Sequence, residues 1–255
     1  MGLLAKRIVD KRTLKLIRSY LNSGIMEGGL MSPRVEGTPQ GSPLSPILSN
    51  IMLDELDKEL EARGHSFVRY ADDLNLYVRS EKAAQRTMGS VTEYIEKKLK
   101  LRVNRDKTQV RQGQQSNLLG FSFYRSKGHW EVRIAPKSLR RIKEKIRAKT
   151  KRNDPSKAAE KIKKLEAVIE GWVNYFRIAR AKKVMQTLDE MVRHRIRTGI
   201  WKQWKYPRTR IRNLQKLGAS QRNAERWGKS SWGCYRMGNH PAMGRTVTNT
   251  RLQQM

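Results

Sequence analysis

Apolar residues recur along this chain with two periods, and the period switches several times. In Lys11–Asn22 they fall at Leu14, Ile17 and Leu21, with Leu16 and Tyr20 close by. That spacing predicts an amphipathic helix ending near Gly24. Gly and Pro crowd residues 24–41, which predicts turns with room for a hairpin. Over 44–63, Leu48, Met52, Leu56 and Leu60 return every four residues and predict a second helix. The helical period breaks over 66–79. There Phe67, Val68 and Tyr70, then Leu74, Leu76 and Val78, predict two short strands around the turn Ala71-Asp72-Asp73. Residues 82–100 are helical again. Residues 101–110 and 117–134 predict strands, the latter a hairpin turning near Ser126-Lys127-Gly128. After Pro136 the period is helical over 138–151, 156–175 and 181–204, and Pro207 ends that run. Residues 213–255 are Gly-rich and weakly periodic, so short helices at best are expected. The order predicts an α+β chain, mixed over residues 1–135 and all-helical over 136–255.

Charge sharpens that division. The 255 residues carry 55 Lys and Arg against 23 Asp and Glu, a net +32. Residues 1–100 hold 16 against 13, and residues 101–255 hold 39 against 10. The surplus is interleaved with apolar and aromatic residues, which a disordered basic tail would lack. A folded basic surface for a polyanion is therefore expected. No apolar run approaches the roughly 18–20 residues that cross a bilayer, and no strongly amphipathic basic helix argues for a membrane surface. The opening residues lack the apolar stretch of a secretory signal. The single cysteine, Cys234, excludes an internal disulfide and a Cys-based zinc site, and suits a reducing cytosolic or nucleoid setting. His65, His129, His194 and His240 stand singly, without metal-ligand spacing.

The chemistry is concentrated at Tyr70-Ala71-Asp72-Asp73. Adjacent carboxylates on a hairpin turn can offer oxygens to Mg²⁺, although most such pairs are plain turn chemistry. The context changes that reading. Upstream lies Gly37-Thr38-Pro39-Gln40-Gly41-Ser42-Pro43-Leu44-Ser45-Pro46, running into the second predicted helix. A Pro-Gln-Gly loop entering a helix, followed by Tyr-Ala-Asp-Asp, resembles the reverse transcriptases, specifically those of group II introns. Ser42 stands where that family often has a second Gly. The resemblance implies a partial right-hand polymerase palm. Pro39, Gln40, Gly41, Tyr70 and Ala71 would face template and incoming nucleotide. Asp72 and Asp73 would bind the catalytic Mg²⁺ of a two-metal site.

Two further segments extend the resemblance. Leu101-Arg102-Val103-Asn104-Arg105-Asp106-Lys107-Thr108 is similar to the family block that sets a lysine near the active site. Lys107 would neutralise the leaving pyrophosphate there, and a solvated strand-end lysine is the equal alternative. Asn117-Leu118-Leu119-Gly120-Phe121 resembles the hairpin that grips the primer, which points to Leu119, Gly120 and Phe121. The basic half resembles the family's thumb and maturase domain, through Gly171-Trp172-Val173-Asn174-Tyr175-Phe176 and Ser231-Trp232-Gly233. Arg177, Arg180, Lys182 and Lys183 follow the first segment. Lys202, Lys205, Arg208, Arg210 and Arg212 surround Trp201, Trp204 and Tyr206. These cations are the expected RNA contacts, with Trp201, Trp204 and Tyr206 as stacking partners. Trp172, Tyr175 and Phe176 are expected to be buried instead.

The resemblance implies RNA-directed DNA synthesis and assistance to intron splicing, with group II intron RNA, template, DNA primer and dNTPs as partners. The family's fingers and first palm motif, with its acidic strand, have no counterpart here. Asp10 reads as the lead-in to a helix. The chain is therefore expected to be a C-terminal part that does not catalyse alone. An RNA-binding maturase module and a non-functional mobile-element remnant stand as alternatives.

Overall fold

The structure, a computed structural model, describes residues 1–23, 25–27, 30–32 and 43–253. It divides into two compact units, Met1–Gly113 and Gln114–Met255.

The first unit opens with α1 (Gly2–Ala5) and α2 (Lys11–Asn22). Asp10 starts α2 by accepting from the backbone N–H groups of Arg12 and Thr13, both at 3.0 Å. The Gly-rich stretch holds the antiparallel pair β1 (Ile25–Glu27) and β2 (Leu30–Ser32). Helix α3 (Ser45–Ala62) follows, with Pro46 in its first turn, where a missing N–H costs nothing. The hairpin β3 (Ser66–Tyr70) and β4 (Asp73–Tyr77) and helix α4 (Glu81–Lys97) complete the layer. Leu56 and Leu60, four apart on α3, pack with Val91, Leu99, Phe67, Leu74 and Leu76.

No strand forms over 101–110. Lys100 adopts a positive φ of 56° and turns the chain. Asn104 then gathers Lys107 and Thr108 into a turn, its carbonyl accepting from Lys107 N at 3.2 Å and Thr108 N at 3.0 Å. Alternation alone cannot make a strand that no neighbour pairs.

The second unit begins with the antiparallel sheet β5 (Asn117–Leu118), β6 (Phe121–Ser126) and β7 (His129–Ile134). One predicted strand thus became two, split at Leu119-Gly120. Helices α5 (Pro136–Lys149), α6 (Ala158–Phe176) and α7 (Lys182–Gln203) follow as the period predicts. Pro207 does more than end a run, since it opens α8 (Pro207–Lys216). The weakly periodic tail forms α9 (Gln221–Gly228), α10 (Cys234–Gly238), α11 (Pro241–Thr246) and α12 (Asn249–Gln253). These short helices carry core: Ala224, Met237, Ala242 and Met243 are fully buried with Ile146, Trp201 and Leu214.

The contact division falls at 113, ahead of the period change near 135. The reason is aromatic. Phe121 of β6 packs on Phe176 of α6, with ring centroids 4.9 Å apart, and Arg180 N donates to Val132 O at 3.0 Å. The sheet is thereby tied to the helices that follow it. Among the described residues, no helix is long and apolar enough to cross a membrane.

Candidate functional site: an acidic turn and a basic helical unit

Register places the two carboxylates. Tyr70 pairs with Asp73, so Ala71 and Asp72 are the two central residues of a tight hairpin turn. Ala71 has φ 53°, a left-handed conformation that an alanine adopts only under constraint. The constraint is Arg69. Its guanidinium donates to Ala71 O and to Asn50 Oδ1, each at 3.0 Å. Its other edge grips the Asp57 carboxylate in a bidentate pair, with Nε to Oδ1 at 2.7 Å. The contact with Asp57, first through its hydrogen bond, raises the Arg69 pKa. Arg69 was not singled out from sequence. The signal was present: alternation in β3 puts Phe67 and Arg69 on the half-buried face.

The clamp leaves Tyr70, Asp72 and Asp73 exposed at the hairpin tip. Two adjacent hard oxygen donors suit Mg²⁺, which commonly takes one or two carboxylates and completes its shell with water and substrate phosphates. Among the described residues no third acidic, histidine or cysteine side chain converges on them. The donor chemistry fits the ion, while the donor count is short of a resident site. Asp10 is occupied elsewhere. It accepts from Thr13 Oγ1 at 2.5 Å and from two backbone N–H groups, and these bonds, the Thr13 hydroxyl first, lower its pKa. Lys107 stands exposed on the Asn104 turn, and among the described residues no hydrogen bond or ion pair joins it to Asp72 or Asp73. Pro39, Gln40 and Gly41 lie outside the described residues.

The turn expected to grip a primer is a two-residue connection between Leu118 and Phe121. Leu119 has φ 51° and Gly120 φ 82°, the double-positive signature of a type I′ turn. Both turn carbonyls are held. Tyr175 Oη donates to Leu119 O at 2.9 Å. Gly120 O accepts from Ala135 N at 2.9 Å and from Ser138 Oγ at 3.1 Å. Phe176 is buried, as expected, while Trp172 is only half-buried, packed against Phe176 with ring centroids 4.8 Å apart. Tyr175 departs from that expectation, being 51% exposed with its ring stacked on Phe121 at 5.6 Å. Helical spacing cannot show that the sheet stops short of covering it.

Electrostatics separates the units. Several cations of the first unit meet carboxylates, among them Arg7–Asp54 at 2.7 Å, Arg63–Glu59 at 2.8 Å and Arg105–Glu96 at 3.0 Å. Residues 114–255 hold 35 Lys and Arg against 9 Asp and Glu, so most cations there have no acidic counterpart. Arg177, Lys182, Lys183, Arg208 and Arg212 are exposed. Arg180 bridges to Glu131 at 2.7 Å and stays largely in solvent. Lys202 donates to Asn153 Oδ1, and Lys205 sits 5.7 Å from the Tyr206 ring. Arg210 is spent internally, donating to Trp204 O at 2.9 Å and lying 4.9 Å from the ring of Trp201. Trp201 itself is buried and presents no stacking face, which corrects its expected role. Trp204 is half-buried, and Tyr206 is exposed.

Comparison with known proteins adds a family context. The family described as "Reverse transcriptase (RNA-dependent DNA polymerase)" matches residues 4–123. The family "Group II intron, maturase-specific domain" matches residues 139–218. Protein YkfC of Escherichia coli is 32% identical over 43% of this chain and 38% of its own length. The group II intron-encoded protein LtrA of Lactococcus lactis subsp. cremoris is 43% identical over 23% of this chain and 10% of its own. Retron Mx65 reverse transcriptase of Myxococcus xanthus is 37% identical over 34% and 21% respectively. The matches span less than two fifths of each of these relatives.

Proposed function

The chain belongs to the group II intron reverse transcriptase/maturase family, and from that premise we propose a division of labour between its two units. The first contributes the acidic turn of an RNA-directed DNA polymerase, and the second holds group II intron RNA and assists its splicing. The observation that carries this reading is the exposed Asp72-Asp73 tip, fixed by Arg69, in a chain whose remaining unit holds 35 cations against 9 carboxylates.

In this reading Asp72 and Asp73 hold Mg²⁺ together with substrate phosphates. The bound ion would activate a primer 3′-hydroxyl and stabilise the leaving pyrophosphate. Tyr70 and Ala71 flank that point, and Pro39, Gln40 and Gly41 face template and dNTP. Lys107 neutralises charge on the leaving group. Leu119, Gly120 and Phe121 form a rigid turn for the primer end, its carbonyls already tied to Tyr175 and Ser138. Arg177, Arg180, Lys182 and Lys183, with Lys202, Lys205, Arg208 and Arg212, bind RNA phosphates. Arg210 supports that surface from within. A reducing cytosolic or nucleoid compartment suits the lone Cys234 and an RNA partner.

Two assays test the proposal. The purified chain, given Mg²⁺, a primed RNA template and dNTPs, should show no extension, because among the described residues Asp72 and Asp73 have no third carboxylate with them, and two hold the ion poorly. Extension that Asp72→Asn abolishes would overturn that statement and make this chain catalytic. Intron RNA should bind with log affinity falling linearly against log salt. A flat salt response would remove the RNA-holding role.

A further inference from the structure

Two hollows flank helix α7 in the second unit and share His194 as a common wall. One, of about 630 Å³, is lined by Arg193, Arg197, Asn239 and Asn249 among others. The other, of about 390 Å³, includes Lys151, Arg152, Asn153 and Tyr235. Glu190 is the single carboxylate among the residues lining either. We propose that this pair of hollows is a seat for an unpaired RNA segment, with a backbone phosphate on Arg193 and Arg197 and a neighbouring base stacked on Tyr235.

The geometry supports each half. Arg193 and Arg197 are one helical turn apart, so they share a face of α7. Arg193 is bridged to Asp189, and Arg197 donates to Val247 O and Asn249 Oδ1, both at 3.0 Å. Those bonds fix the Arg197 fork without a carboxylate, and burial, helped by the charge of Arg193, holds its pKa down. A half-buried cation whose hydrogen bonds all go to neutral groups is stabilised further by an anion. Across His194, Tyr235 is 69% exposed. His194 Nε2 lies 3.0 Å from Tyr235 O, and the two rings meet edge to face at 4.6 Å. Tyr235 is thus held by its backbone and an edge contact, leaving most of its ring surface free. The close approach of α10 to α7 rests on Gly238. A side chain there would collide with Thr198 Oγ1 and come within 2.9 Å of His194.

A duplex keeps its bases stacked inside and cannot place one in such a hollow, whereas unpaired RNA offers both a free base and a phosphate. The inference rests on the RNA-holding role proposed above and assigns it a place that the basic runs alone do not mark.

The test uses the full chain with a short unstructured RNA oligonucleotide and a blunt RNA duplex of equal length. Tyr235→Ala should weaken single-strand binding about tenfold, the order of one lost base stack, and leave duplex binding unchanged. Tyr235→Phe should retain single-strand affinity, which separates stacking from any loss of fold. Arg193→Gln should lower the magnitude of the salt slope for single strands by about one. Photo-crosslinking through 4-thiouridine should map to Tyr235. Equal loss on both probes, no loss on either, or crosslinks confined to other helices would overturn the seat while salt-dependent RNA binding keeps the wider reading intact. A parent chain that binds neither probe would overturn both.

Discussion

Arg69 gives the sharpest handle on the acidic turn. Arg69→Met keeps the stem of the side chain and removes every polar bond that the guanidinium makes: two to Asp57, one to Asn50 and one to Ala71 O. Breaking a buried ion pair by removing one partner costs about 3–5 kcal/mol. Here Arg69 is 13% and Asp57 23% exposed, so water relieves part of that penalty. A loss of about 2–3 kcal/mol is expected, which is roughly 30- to 150-fold in an opening equilibrium. The usual optical probe is blind to this change. All six tryptophans, Trp130, Trp172, Trp201, Trp204, Trp227 and Trp232, lie in the second unit. Amide hydrogen exchange on peptides covering 66–77 is the suitable assay. Protection should fall there by the stated factor, with the tryptophan unfolding curve unmoved. Asp57→Leu added to Arg69→Met should restore part of the loss, because the uncompensated carboxylate is gone. Exchange at 66–77 equal to the parent, or strictly additive losses in the double variant, would refute the clamp.

Two more predictions concern the second unit. Gly120→Ala forces a side chain into a φ of 82° and brings its Cβ to 2.7 Å from Ser138 Oγ. Backbone strain of about 1–2 kcal/mol, with a strained or lost hydrogen bond of about 1 kcal/mol, should lower stability by about 2–3 kcal/mol in tryptophan-monitored urea unfolding; a change under about 0.5 kcal/mol would contradict the turn assignment. His240 caps α11 by accepting from Ala242 N at 3.1 Å through Nδ1, and burial, then Arg226 and Arg236, lower its pKa. Below the ordinary imidazole value of about 6.5 the unfolded chain binds the proton more readily, so stability should fall as pH drops through that value towards the folded one. His240→Asn keeps a side-chain acceptor that does not titrate and should flatten this profile between pH 7 and 5. An unchanged slope would remove the cap from the account.

The long helices, the acidic hairpin and the +3 to +29 charge division were legible because period, turn chemistry and composition are local properties of the chain. The Leu48-Met52-Leu56-Leu60 repeat needs no partner to declare a helix, and strand alternation around Ala71-Asp72-Asp73 already sets a turn there. Burial is not local. Trp201 and Tyr175 both sit at helical spacing beside cations, yet one is enclosed by helices from the far end of the chain and the other stands half in solvent over a hairpin turn. Which cations remain available follows the same rule. Arg210 and Arg69 differ from their neighbours because the fold brings Trp204 O and Ser230 O to the one and the Asp57 carboxylate to the other, and these take up their donors. Sequence alone determined that an acidic turn precedes a basic helical body. Only the tertiary structure decided which side chains hold that turn in place and where an unpaired nucleotide could sit, because both depend on groups brought together from distant parts of the chain.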